Sequence, residues 1–386
     1  MSLLFIYDMT LYYNGDRYYN YMFNQSVVES LKSIDNDLYI CSEFIEEIDS
    51  DKLNLSGHSK ELYKAVPIIK INSISKIFKA FKSNKQVLTE AILKADHIII
   101  RVPSSIANTA FKICKKYKKP FLTEIVGCPW DTLRHHSFKG KLMAPYMYFS
   151  TSHIIKNSKY CKYVTKEFLQ KRYPTKGKNI NCSDVNLPET EESVLNNRIR
   201  KINNIKNKII LGTIGSVDVK YKGQEYVLKA ISKLNSEGYD FQYHLVGGGN
   251  TAYLRSVAEK YNISDKIIFK GSLSNDKVLE WLDEIDIYIH PSLTEGLSRA
   301  IIEALSRACP VTGSVYGGTP ELINKKYIFK SKNVNQIYDI LKNFNIEVMR
   351  EEAERSFNLA KEYSPETLKK RKNDFDKMFI ASEGSK

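Results

Sequence analysis

Short apolar, β-branched runs alternate with helix-spaced apolar positions through the second half of the chain, and most of the runs end in glycine. Lys208 to Thr213 leads into Gly215-Ser216, and Lys220-Tyr221-Lys222-Gly223-Gln224 then opens a helix whose apolar positions are Val227, Leu228, Ile231 and Leu234. Phe241 to Val246 runs into Gly247-Gly248-Gly249, Ile267 to Phe269 into Gly271, and Pro310-Val311-Thr312 into Gly313. Ile285, Ile287, Tyr288 and Ile289 form a further run, ending at His290-Pro291. Helical spacing fills the intervals near Thr251 to Tyr261, Asn275 to Leu282 and Ser298 to Ala308. This β/α alternation predicts an open parallel sheet with glycine loops at its strand ends, where such sheets bind ligands.

The first half, about residues 1 to 200, predicts a second α/β unit. Its strands are Leu3 to Tyr7, Leu38 to Ile40, His97 to Val102, Pro120 to Glu124 and Lys162 to Val164. Helical stretches lie near Gln25 to Ile34, Leu88 to Leu93 and Ile106 to Tyr117. The polar, charged stretch Glu191 to Asn207 reads as a linker, and Pro365 to Phe379 as a closing helix. The domains expected are therefore 1–200, 201–364 and a terminal helical segment, 365–386.

Length and composition agree with two globular cores: 386 residues, 42% of them hydrophobic. The six cysteines form no Cys-x-x-Cys and match no histidine spacing, so neither a zinc site nor a disulfide framework is expected. Leu3-Leu4-Phe5-Ile6-Tyr7 is too short for a secretory signal and no apolar run reaches spanning length, so a cytoplasmic protein is expected. The net charge of +14 fits phosphorylated substrates or an anionic membrane surface at the inner leaflet. Its lysines lie in no recognised nucleic-acid module, and nucleic acid is not expected as a partner.

The stretch His290-Pro291-Ser292-Leu293-Thr294-Glu295-Gly296-Leu297-Ser298-Arg299-Ala300-Ile301-Ile302-Glu303-Ala304 sets two carboxylates across the start of a predicted helix. Free N–H groups at Gly296, Leu297 and Ser298, with the positive end of the helix dipole, suit a diphosphate. Glu295 in the turn suits sugar hydroxyls, and Glu303 on the helix flank suits a ribose diol. Together they outline a sugar nucleotide. The triplets Asp35-Asn36-Asp37 and Asp49-Ser50-Asp51 stand far upstream in turn-like sequence and read as solvated loops, so no metal is expected.

These residues resemble the donor-binding domain of glycosyltransferase family 4, retaining enzymes of GT-B architecture. Glu295 and Glu303 match its Glu-x7-Glu pair, Lys222 its phosphate lysine, and Gly317-Gly318-Thr319-Pro320-Glu321 the loop that follows. Many relatives carry arginine where this chain has Ser216, and Lys220 is a candidate for the missing charge. The resemblance implies two Rossmann-like domains facing a central cleft, with the C-terminal helix crossing back to the N-terminal domain. It implies a donor site of Gly215, Ser216, Lys220, Lys222, Gly247, Gly248, Leu273, Glu295, Gly296, Leu297, Ser298 and Glu303. In the N-terminal domain, Asp131 is the first choice beside the sugar carbon, with His135 and His136 next. Tyr13, Asn14 and Arg17, in the aromatic and polar run Tyr12 to Asn20 after the first strand, suit an acceptor sugar, although an ordinary surface turn accounts for the same residues. Catalysis is implied for Glu295, Lys222 and Asp131.

The implied activity is transfer of a sugar from a nucleotide sugar, UDP-sugar favoured, to a hydroxyl of a glycan or a polyprenyl-diphosphate-linked glycan. The pattern at Gly127 to Asp131 and Thr165 to Phe168 resembles enzymes that assemble capsular or O-antigen polysaccharide. Two rivals are a sugar-nucleotide epimerase or phosphorylase of the same architecture, and a non-catalytic sugar-nucleotide or membrane-surface binding protein.

Overall fold

The computed structural model describes residues 2–20, 23, 25–47, 57–69, 77–189 and 191–382. The chain forms two compact units, one of Met1–Trp130, Met143–Asp184 and Lys369–Lys386, the other of Asp131–Leu142 and Val185–Leu368.

The first unit is built on β1 (Leu3–Asn14), β2 (Arg17–Tyr19), β3 (Leu38–Glu46), β4 (Gly57–Ser59), β5 (Lys64–Pro67), β6 (His97–Val102), β7 (Leu122–Ile125), β8 (Tyr160–Tyr163) and β9 (Lys178–Asn181). Its parallel strands run in the order β5-β3-β1-β6-β7-β8-β9. Continuous burial along β6 and β7 is what a parallel sheet covered on both faces requires. The first strand runs well past Tyr7. Leu11 is buried in the core, Tyr13 packs edge-on against Tyr18, and the aromatic run expected to follow β1 is its second half and the β2 hairpin. The closing helix Pro365–Ala381 sets Phe375 and Phe379 into the same core as Leu3, Phe5 and Tyr160.

The second unit is a six-stranded parallel sheet of β10 (Lys208–Ile214), β11 (Asp240–Val246), β12 (Ile267–Gly271), β13 (Ile287–His290), β14 (Val311–Ser314) and β15 (Ile328–Phe329). Its order, β12-β11-β10-β13-β14-β15, reverses direction between β10 and β13, the point at which a doubly wound sheet opens a crevice at its strand ends. Val227, Leu228, Ile231 and Leu234 bury the inner face of the helix Gln224–Ser236 against Leu211, Tyr243 and Leu245, as their spacing predicts.

The segment Glu191 to Asn207 is not a linker. Most of it is the helix Glu192–Asn203, held in the second unit by one buried cation. Arg198 donates to the carbonyls of Leu282 (2.7 Å), Ile285 (2.6 Å) and Arg307 (3.2 Å), satisfying carbonyls that helix ends leave without partners. Ile202 is buried beside it, and Lys201 pairs with Asp286 at 2.9 Å. On this helix Arg198 is a buried cap, while Glu192, Ser193, Asn196, Asn197, Arg200 and Asn203 face solvent.

Candidate active site

β10 and β13 are neighbours, with Gly212 opposite Tyr288, so both deliver chain to the point where the sheet order reverses. Every residue of β13 is buried, including His290. Tyr288 is enclosed, and burial pushes its phenol well above its ordinary range, so it keeps its proton. Its oxygen accepts from the Ile214 N–H at 3.4 Å and lies 3.3 Å from His290 Nδ1. With the phenol donating to Nδ1, Nε2 carries the ring hydrogen and donates to Glu295 Oε1 at 3.1 Å.

Lys222 approaches the same oxygen, at 2.9 Å. It comes from the short turn Lys220–Lys222, which stops at Gly223 in a left-handed conformation, φ 72°. A side chain at Gly223 would bring its Cβ to 2.2 Å from the Pro291 carbonyl. The Leu293 N–H donates to Tyr221 O at 2.7 Å, lacing the two loops together. Burial alone would raise the Glu295 carboxyl, but the Lys222 ammonium and the His290 hydrogen bond overrule it and hold the group well below the usual carboxylate range.

A third loop closes behind. Gly317, at φ 62°, lies so near the chain that an added Cβ would be 2.0 Å from the Glu295 carbonyl, and the Gly318 N–H donates to Gly296 O at 2.7 Å. Ser298 caps the helix Arg299–Ser306 by accepting from Ile301 N at 3.3 Å. Among the described residues no backbone carbonyl accepts from the N–H groups of Gly296, Leu297 or Ser298. Glu303 lies half-buried on this helix, its carboxyl raised by burial and lowered only in part by Arg299 one turn earlier. Tyr288 feels the charges of both Glu303 and Glu295.

The family model for glycosyl transferases, group 1, matches residues 196–355, which contain all of this geometry. Protein CapJ of Staphylococcus aureus is 35% identical over 344 residues, covering 88% of this chain and 85% of its own length. The chain belongs to the group 1 glycosyl transferases. The amylovoran biosynthesis glycosyltransferase AmsK of Erwinia amylovora is 32% identical over 109 residues, 26% of this chain and 27% of its own. The structure of Anabaena HepE in complex with UDP-glucose superposes with a TM-score of 0.65 at 13% identity, covering 100% of both chains, and shows that the fold is GT-B.

Elsewhere in this glycosyltransferase the expected residues are distributed unevenly. Gly215, Gly247 and Gly248 lie in loops stitched by the Gly215 N–H to Val246 O (2.8 Å), the Gly247 N–H to Gly271 O (2.8 Å) and the Val217 N–H to Gly248 O (3.1 Å). Leu273 follows them, half-buried, after β12. Ser216 Oγ is 2.5 Å from Asp218 Oδ1, and the Lys220 ammonium lies 4.4 Å over the Tyr253 ring, so the cation at Glu295 is Lys222. Asp131 is in the first turn of the helix Pro129–His136; the side chains of His135 and His136 lie outside the described residues.

Tyr13, Asn14 and Arg17 belong to the β1–β2 hairpin of the first unit. There Asn14 donates to Glu47 O (3.3 Å), Arg17 to Gly57 O (2.8 Å), and Lys60 covers the Tyr13 ring at 4.0 Å. Thr165 accepts from the Leu169 N–H at 3.0 Å, in the first turn of the short helix Phe168–Arg172. Asp37 turns back on Asp35 Oδ1 through its N–H (3.1 Å) and pairs with Lys64, whereas Asp49-Ser50-Asp51 lies outside the described residues. Among the described residues no group of three or more His, Cys, Asp or Glu is arranged to hold a metal ion. None of the described helices is long and apolar enough to cross a membrane.

Sequence reasoning missed His290 and Tyr288. Their alternation along β13 puts both on one face beneath Glu295, a signal readable only once β13 is known to border the crevice.

Proposed function

We propose that this glycosyltransferase is a retaining, family 4 enzyme that takes its sugar from a nucleotide sugar, a UDP-sugar by preference, without a metal ion. The observation that carries the reading is Glu295 held as a carboxylate between Lys222 and His290 at the mouth of a capped helix, with Glu303 farther along that helix. A helix start beside a lysine suits a diphosphate. HepE, of the same fold, is seen with UDP-glucose.

In the proposed reaction the bond from the anomeric carbon to the donor phosphate breaks and a bond to the acceptor oxygen forms on the same face. The acceptor proton passes to an oxygen of the departing diphosphate. Lys222 and the N–H groups of Gly296 to Ser298 neutralise the charge that builds on that diphosphate. Glu295 orients the sugar through its hydroxyls, and Glu303 accepts both hydrogens of the ribose diol. Asp131 is our candidate beside the sugar carbon, with Tyr13, Asn14, Arg17, His135 and His136 on the acceptor side.

We place the acceptor among glycans or polyprenyl-diphosphate-linked glycans of surface polysaccharide synthesis, met at the inner face of the plasma membrane. AmsK, by its name, serves amylovoran biosynthesis, and the net charge of +14 suits an anionic surface.

The test is turnover of UDP-sugars with a polyprenyl-diphosphate-linked oligosaccharide in EDTA, with the anomeric configuration of product and donor compared by NMR. A product of the donor's configuration is expected. Conversion of donor with no acceptor added, or an inverted product, would contradict the proposal.

A further inference from the structure

Lys222 has two tasks that exclude each other. Its ammonium lies 2.9 Å from Glu295 Oε1, whereas the reaction proposed above puts it on the departing diphosphate. Its stem crosses Gly215 on the way: an added Cβ there would stand 3.3 Å from Lys222 Cδ. A flexible four-carbon stem on a short turn can swing from one anion to the other. Glu295 cannot be left alone when it does. Its side chain is only 16% exposed, and an enclosed carboxylate that loses its cation loses much of what keeps it ionised and aimed. A second group must therefore hold Glu295 once a diphosphate draws Lys222 away.

His290 has the geometry for that task. Its Nε2 lies 3.1 Å from the same Oε1 that Lys222 approaches. A carboxylate only accepts, so the ring hydrogen is on Nε2, which makes Nδ1 an acceptor. The Tyr288 oxygen, 3.3 Å from Nδ1, already accepts from the Ile214 N–H and has its own hydrogen to give. The tautomer is thus set at one end by Glu295 and at the other by the phenol.

Both rings are fixed in place. They come from alternate residues of β13, and Tyr288 and His290 are 0% and 2% exposed. On β14 the residue opposite His290 is Gly313, where an added Cβ would stand 3.2 Å from His290 Cβ. An imidazole so enclosed stays on Glu295 whatever anion enters the crevice. We infer that Tyr288 and His290 are positioning residues, a relay that keeps Glu295 aimed at the donor sugar after Lys222 has passed to the diphosphate. Resting on the donor site proposed above, the relay adds a division of labour: Lys222 answers to the diphosphate, and His290 with Tyr288 to the sugar.

The test compares affinity for UDP with affinity for UDP-glucose, UDP-galactose and UDP-N-acetylglucosamine. It uses the full chain and the variants Tyr288→Phe, His290→Leu and His290→Gln, together with nitrogen NMR of the histidine rings at neutral pH. The His290 signals are those that His290→Gln removes. All variants are expected to bind UDP within ~2-fold of the unaltered protein, because Glu295 does not touch UDP. Relative to UDP, the tightest UDP-sugar weakens ~10-fold or more in His290→Leu and ~3-fold or more in Tyr288→Phe. His290→Gln, whose amide still donates, recovers most of the loss. The spectrum of the unaltered protein shows hydrogen on Nε2, and that of Tyr288→Phe a mixture of tautomers. Hydrogen on Nδ1 in the unaltered protein, or UDP-sugar affinities that fall only in step with UDP, would overturn the relay. Should His290→Leu not fold, Tyr288→Phe and the spectrum decide. Absence of UDP binding by the unaltered protein would instead overturn the donor site, and the relay with it.

Discussion

Glu303 and Glu295 are both carboxylates of one motif, and their surroundings drive them in opposite directions. Burial raises Glu303, with Arg299 offsetting only part of the rise, while Lys222 and His290 depress Glu295. A carboxyl raised in the folded state costs stability once pH rises through its folded value, and the cost is relieved as pH falls. Glu303→Gln is therefore expected to raise the melting temperature of the donor-free protein at neutral pH, by roughly 1–3 °C. If Glu303 takes the ribose as proposed, the same change is expected to weaken nucleotide binding by removing the charged acceptor. A thermal melt paired with a UDP titration reads both, and a variant that loses stability together with affinity would contradict this assignment. Glu295 has the reverse sign: its stabilising effect is complete above the usual carboxylate range and lost as pH falls below it.

At the scale of elements, the crevice is three loops locked by close approaches, and Gly317 is the tightest. Gly317→Ala adds a Cβ against the Glu295 carbonyl and strains a left-handed backbone position, a cost of roughly 1–3 kcal/mol. Chemical denaturation should show that loss, with donor affinity falling because the Glu295 to Gly296 segment must shift. Unchanged stability would mean that the loop is not locked. The elements of this sheet were legible in the sequence because most of its strands run into glycine and the helices between them have one buried face, as Val227, Leu228, Ile231 and Leu234 show. The helix Phe138–Lys156 was not, since apolar residues on both faces erase the 3.6-residue period. Glu192–Asn203 was hidden by its polarity, because the role of Arg198 depends on carbonyls some 85 to 110 residues away. Lys222 and Glu295 were legible as motif residues, whereas the support of Glu295 by His290 and Tyr288 required the strand's place in the sheet.

At the scale of the whole molecule, the C-terminal helix is fastened into the first unit by buried charge as well as by Phe375 and Phe379. Asp376 pairs with Lys162, which lies 3.8 Å from Glu124, and Arg101 donates to Glu124 through Nε (3.1 Å) and Nη2 (3.0 Å). Lys372, half-buried beside them, bonds Ser30. Burial would raise Glu124, yet Arg101, Lys162 and Lys372 hold it down to about 2, so its stabilising effect is present above about 4.5 and lost as pH falls toward 2. Asp376→Ala leaves buried cations with too few partners and is expected to cost the first unit about 3–5 kcal/mol, read as faster amide exchange in β8 and the C-terminal helix. Unchanged exchange there would contradict the fastening. No spacing in the sequence joins residues 101, 124, 162 and 376, which is why this network was invisible before the fold.

The claim on which the functional account rests is that Lys222, Glu295 and Glu303 form a donor site that works without metal. Calorimetric titration of UDP-glucose into the full chain in EDTA, beside Lys222→Ala, tests it most directly. Binding by the unaltered protein that weakens ~10- to 100-fold in the variant is the predicted result. Equal affinity in the variant, or binding that appears only when a divalent cation is added, would contradict the account.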